Sequence, residues 1–116
     1  MHNNPLPRID EQPEVRASLL PLCRLKPGSV WTDAASGHRV ACIDATDASA
    51  VASLMDGKRA GLAIQDPPYN LVAFETRAIS DYIDWARGWV TNTLRGLEAD
   101  CAVYVWLAGE QRVHVQ

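Results

Sequence analysis

The sequence is poor in cysteine, histidine and phenylalanine, and it carries no excess of basic charge. Its three cysteines, Cys23, Cys42 and Cys101, are odd in number and widely spaced, with no C-x-x-C pair. That pattern offers no disulfide framework and fits free, buried thiols in a reducing cytoplasm. His2, His38 and His114 form neither an H-x-x-x-H pair nor a Cys/His ligand spacing, so no metal is expected. There is no run of about 18 apolar residues such as crosses a bilayer. The polar, proline-containing start has no apolar stretch of the signal-peptide kind. The expected setting is therefore cytoplasmic, with no membrane. A net charge of -3 provides no global basic field, which argues against a self-sufficient DNA binder but not against a catalytic piece whose basic surface lies elsewhere.

What is present is ordinary for a globular protein: 47% hydrophobic and 22% charged residues in a chain of 116. This length suits one small domain or a piece of a larger one. Residues 1–27 hold Pro5, Pro7, Pro13, Pro21 and Pro27, a density that breaks helices and strand ladders and predicts an irregular arm. Within it, residues 15–22 have the pattern of a short helical turn.

Residues 28–116 are more regular. Val30-Trp31 and residues 38–43 are short β-favouring runs around a turn at Ser36-Gly37. Asp47 is placed to cap a helix running to about Met55, with Ala50, Val51, Leu54 and Met55 on one face and Gly57 closing it. Residues 61–65 form an apolar strand that leads into Asp66-Pro67-Pro68-Tyr69-Asn70. Ser80 is the expected cap of a second helix reaching about Leu97. Its stripe is Ile79, Tyr82, Ile83, Ala86, Trp89, Val90, Leu94 and Leu97. Gly88 lies inside it at a cost of about 1 kcal/mol relative to Ala. Residues 102–107 are an uninterrupted apolar run of the kind buried on both faces of a parallel sheet. Trp85, Trp89 and Trp106 are expected mainly to pack helix on strand, any left bare forming a partner-facing surface. The alternation predicts an α/β fold, a β-α-β-α-β open sheet. Such sheets bind ligands beyond the carboxyl ends of their strands, which puts Asp44 and Asp66 on one rim.

Asp-Pro-Pro-Tyr has a chance expectation of roughly one in a thousand chains of this length at average composition. A plain reading is a rigid Pro-Pro turn ending a strand, with Asp66 capping it. A functional reading uses every member. An exocyclic amino group of adenine or cytosine is a poor nucleophile because its lone pair is delocalised into the ring. A site that methylates it must accept hydrogen bonds from both N–H groups, leaving the lone pair free. Asp66 supplies one acceptor and the Pro67 carbonyl a second, with Pro68 fixing the backbone. Tyr69 offers a ring face for a base swung out of the duplex.

The motif and its surroundings resemble the N6-adenine and N4-cytosine DNA methyltransferases of the permuted, β-type order. The run His38-Arg39-Val40-Ala41-Cys42-Ile43-Asp44-Ala45-Thr46 resembles that family's H-R-hydrophobic-x-C-G-D-A-T segment. Gly28-Ser29-Val30-Trp31 resembles the strand before it. Residues 82–97 and Val103-Tyr104-Val105-Trp106-Leu107 resemble the helix and strand that follow the motif. The likeness covers about residues 28–110. It implies the N-terminal part of a Rossmann-like methyltransferase domain using S-adenosylmethionine as methyl donor and DNA as substrate, in roles such as restriction-modification. It also implies catalytic roles for Asp66, Pro67, Pro68 and Tyr69. Asp44 and Asp66 would stand on the cofactor side, and Asn70 would brace the substrate-base loop or act as a plain turn residue. The family's glycine before the strand-end acid is Ile43 here.

Related motifs also serve methylation of RNA bases and of protein glutamine amides, and the segment ending in Asp44-Ala45-Thr46 favours DNA. No F-x-G-x-G segment, the donor-gripping element of the family, occurs; the one phenylalanine is Phe74. The expectation is a partial domain, inactive alone, whose partners are DNA and the remaining C-terminal part or a complementary chain. The alternative is a non-catalytic truncated remnant or binding module.

Overall fold

A computed structural model describes residues 12–68 and 77–106. Tyr69, Asn70, Phe74, residues 1–11 of the arm and the stretch from Leu107 onward lie outside the described residues. The rest is a mixed α/β arrangement. Helix α1 (Pro13–Leu19) starts with proline in its first turn, where a missing N–H costs nothing, and it buries no residue. A 3-10 turn, Leu20–Leu22, follows it. Strands β1 (Val30–Thr32) and β2 (Arg39–Ala41) form an antiparallel hairpin with Trp31 opposite Val40. The hairpin turn is tied by Asp33, whose carboxylate accepts from the Ser36 amide at 2.8 Å and from the Ser36 hydroxyl.

Asp47 caps α2 (Ala48–Met55) as the sequence predicts, accepting from the Ser49 and Ala50 amides at 2.9 and 3.1 Å. The helix is closed by Asp56, which takes the left-handed conformation at φ 52°, followed by Gly57 at φ 74°. Arg39 of β2 reaches this end. Its guanidinium donates to the Ser53 carbonyl at 2.8 Å and pairs with Asp56 at 2.9 Å, joining hairpin to helix. A cation at a helix C-terminus also complements the helix dipole.

Strand β3 (Ala60–Gln65) runs parallel to β4 (Leu97–Val105), with α3 (Ile79–Arg95) between them in the chain. Ile64 lies opposite Tyr104 and Gln65 opposite Val105. The register shifts between Ala60 and Leu62, where β4 uses more residues than β3. Helix α3 starts one residue past Ala78, and Ser80 bonds to Asp81 at 3.2 Å instead of capping the backbone. Leu97 belongs to β4 and not to the helix, because Gly96 turns the chain directly into the sheet, its carbonyl accepting from the Ala60 amide at 2.9 Å.

Two further expectations change. A single β-α-β-α-β sheet is not formed among the described residues: there are two sheets of two strands, and β2 pairs with β1. A hairpin closed by a tight turn has little loop entropy to overcome, so the local pairing wins for so short a strand. Nor is β4 buried on both faces. Leu62, Ile64, Tyr104 and Trp106, which alternate onto one face of the sheet, are 51%, 64%, 63% and 63% exposed. Cys23, Cys42 and Cys101 are exposed as well, the first two on irregular segments and Cys101 on the uncovered strand β4. No described helix is long and apolar enough to cross a membrane.

The described core is Tyr82, Ala86, Trp89 and Leu97, with Asn92 buried beside them. Its helical members recur at steps of four and three, one face of α3. Ile79 and Leu94, at the margins of the expected stripe, are exposed. So small a core makes Trp89 decisive. Trp89→Ala should lower stability by about 3–5 kcal/mol, read by urea unfolding. Trp89→Phe should cost less, because the buried indole N–H has no hydrogen-bond partner among the described residues.

Candidate functional site

The ladder of β3 and β4 ends where the Trp106 amide donates to the Gln65 carbonyl at 2.9 Å. Beyond it come Asp66, Pro67 and Pro68. Two prolines without N–H donors end the pairing and stiffen the chain as it leaves the sheet. Asp66 is exposed at this carboxyl end, while Pro67 and Pro68 are half-buried. The Pro68 carbonyl is anchored: the hydroxyl of Tyr82 donates to it at 3.0 Å. Tyr82 is the most deeply buried large side chain described, and burial pushes its phenol pKa up, so the hydroxyl stays protonated as a donor. The carbonyl held this way is one residue past Pro67, whose own carbonyl is the acceptor expected from the sequence.

Asp44 lies just after β2 in a turn that its own side chain stabilises. Its Oδ1 accepts from the amide and from the hydroxyl of Thr46, both at 2.8 Å. These bonds lower the Asp44 pKa, the amide contributing most and the hydroxyl next, with a smaller contribution from Arg77. The carboxylate is therefore charged throughout the neutral range. Asp47 holds its negative charge in the same way, through Ser49 and Ala50. The two acids line an open cleft of about 370 Å³ together with Pro27, Gly28, Ile43 and Ala50.

Helix α3 holds the Asp44 turn at two points. Asn92, 5% exposed, donates from Nδ2 to the Ala45 carbonyl at 3.0 Å. A turn closer to the helix start, Gly88 lies against Thr46, and a Cβ there would stand 3.2 Å from Thr46 Cβ and Cγ2. The glycine that weakens the helix interior is thus the residue that lets it approach the Asp44 turn. At its amino end, α3 holds the motif through Tyr82. Between these anchors Trp85 rests against the rings of Tyr82 and Trp89, at centroid distances of 5.5 and 6.3 Å. The guanidinium of Arg77 covers Trp85 at 4.9 Å.

The expected site residues are therefore related through α3 and not through a common sheet. Asp66, Pro67 and Pro68 stand at the end of β3, and Asp44 follows a strand of the separate hairpin. Tyr69 and Asn70 lie outside the described residues. Sequence reasoning missed Tyr82, Asn92 and Arg77 as parts of the site. Tyr82 was legible only as one member of an apolar stripe, although a tyrosine in such a stripe carries a hydroxyl that must find a partner when buried. Asn92 had a similar signal, a polar residue one turn after Trp89 on the buried face.

Two substitutions report on these anchors. Tyr82→Phe removes one hydrogen bond and should cost about 1 kcal/mol in urea unfolding, with amide shift changes concentrated at Tyr69, whose N–H shares a peptide group with the Pro68 carbonyl. Gly88→Ala should fail to show the gain of about 1 kcal/mol that helix propensity alone predicts, because Thr46 must yield; adding Thr46→Ser should recover part of it. No family model, curated protein or solved structure matches the chain.

Proposed function

We propose that the chain is the motif-bearing part of an S-adenosylmethionine-dependent DNA amino-methyltransferase acting at N6 of adenine or N4 of cytosine. The observation that carries this reading is Asp66-Pro67-Pro68 at the carboxyl end of an apolar parallel strand, with the adjoining carbonyl held by buried Tyr82. Ligands of open α/β sheets bind beyond such strand ends. In this reading β3, α3 and β4 are a piece of a Rossmann-like sheet, and the bare face carrying Leu62, Ile64, Tyr104 and Trp106 is where the remainder of the domain or a complementary chain belongs.

The Asp66 carboxylate and the Pro67 carbonyl accept the two N–H groups of the target base, which frees the nitrogen lone pair for attack. The anchor on Pro68 limits the freedom of the preceding peptide, so the acceptors are positioned before the base arrives. Tyr69 stacks on the extruded base. The cleft beside Asp44 and Asp47 has the size of a small-molecule site and the negative sign that suits a cationic donor. S-adenosylmethionine supplies an electrophilic methyl group on a sulfonium; Asp44 and Asp66 would hold its positively charged end.

One observation favours a second reading, a non-catalytic remnant or binding module: the sequence has no F-x-G-x-G to grip the donor. Calorimetric titration with S-adenosylmethionine separates the two. The methyltransferase reading expects saturable binding, weakened about tenfold or more by Asp66→Ala and by Asp44→Asn, and no methyl transfer to DNA by this chain alone. No donor binding would sink that reading and leave the remnant. Labelled methyl appearing on DNA would overturn the expected inactivity, and its appearance only on RNA or on glutamine would change the substrate class.

A further inference from the structure

At the opposite end of the parallel pair, near the amino ends of β3 and β4, a second cleft of about 360 Å³ lies between α2 and the end of α3. Its floor is Val51, Ala52 and Met55 of α2, and its polar lining includes Lys58, Arg59 and Arg95. No acidic residue lines it among the described residues, in a chain whose net charge is -3. Of the two acids adjacent in sequence to lining residues, Asp56 is paired with Arg39 at 2.9 Å and Asp47 is engaged as the cap of α2.

The three cations have one structural use. Helices α2 and α3 both end here, and each C-terminus is equivalent to about half a negative charge. Arg59 also donates to the Leu97 carbonyl at 2.8 Å, fixing its guanidinium across the start of β4. Two half charges do not balance three cations, so the cleft retains an excess of about two positive charges. A volume in the range of small-molecule sites, an apolar floor and an unbalanced positive rim define a ligand class.

We infer that this cleft binds a compact organic anion, a phosphate or carboxylate head on an apolar body, with the head between Lys58, Arg59 and Arg95 and the body on Val51, Ala52 and Met55. The site is at the other end of β3 from Asp66 and does not depend on the methyltransferase reading. Arg59 fixes the position of the head through its bond to β4, while Lys58 and Arg95, both exposed, supply the remaining charge.

The test is an amide chemical-shift titration of the 116-residue chain with phenyl phosphate, and with phenol as the neutral analogue. Phenyl phosphate should shift the amides of Met55, Lys58, Arg59 and Gly96 saturably, and phenol should not. The double variant Lys58→Ala/Arg95→Ala changes exposed side chains only and should keep the rest of its spectrum while weakening binding about fivefold to tenfold. Unmoved cleft amides, equal response to phenol, or undiminished binding by the double variant would each overturn the inference. So would a DNA duplex moving these amides where phenyl phosphate does not. Neither ligand resembles S-adenosylmethionine, so failure here leaves the donor-binding result untouched.

Discussion

The close approach of α3 to the Asp44 turn governs the arrangement of everything else described. At Gly88 there is room for a hydrogen but not comfortably for a methyl group, since the Cβ position is 3.2 Å from Thr46. That approach brings Asn92 within 3.0 Å of the Ala45 carbonyl, where its buried amide finds an acceptor. The same helix face carries Tyr82, which must satisfy its hydroxyl and does so on Pro68. One helix thereby fixes two loops that no shared sheet connects. A buried polar group left unpaired costs about 1–3 kcal/mol, so these bonds act as registration as much as stabilisation. Displacing α3 by a turn would leave both Tyr82 and Asn92 without partners.

The remainder of the structure is thinly covered. A parallel strand pair is ordinarily sheltered on both faces, yet Leu62, Ile64, Tyr104 and Trp106 stand open on one side of β3 and β4, and Val103 and Val105 are exposed on the other. Two strands alone are marginal in water, and the described core is too small to compensate by depth. Stability is instead concentrated where α3 meets its neighbours. The tilted-ring cluster of Tyr82, Trp85 and Trp89 supplies much of the aromatic surface there, with Arg77 closing its outer side. This uneven distribution is compatible with a partial α/β fold.

Charge is also divided between two clefts that share helix α2. Asp44 and Asp47 line the cleft beside β2, each held ionised by local hydrogen bonds. Lys58, Arg59 and Arg95 line the cleft at the start of β3 and β4. A net charge of -3 conceals both. Summed charge governs solubility and long-range steering, whereas a ligand meets the local field, and here the two clefts present opposite signs.

The sequence by itself determined the local elements, because their causes are local. Asp47 caps α2 through its own neighbours, the turn after β1 follows from Asp33 and Ser36, and the prolines after Gln65 end β3 wherever it is placed. Periodicity marked the buried face of α3 through Tyr82, Ala86 and Trp89. Pairing and approach were decided only in three dimensions. Whether β2 joins β1 or β3, whether the apolar run of β4 finds cover, and why a glycine sits in the middle of α3 all depend on residues far apart in the chain. The same holds for the anchors: Tyr82 and Asn92 look like ordinary members of a helix until Pro68 and Ala45 are brought against them. A hydrogen-bond partner supplied from fourteen or forty-seven residues away leaves no trace in spacing or composition, because it exists only once the chain has folded back on itself.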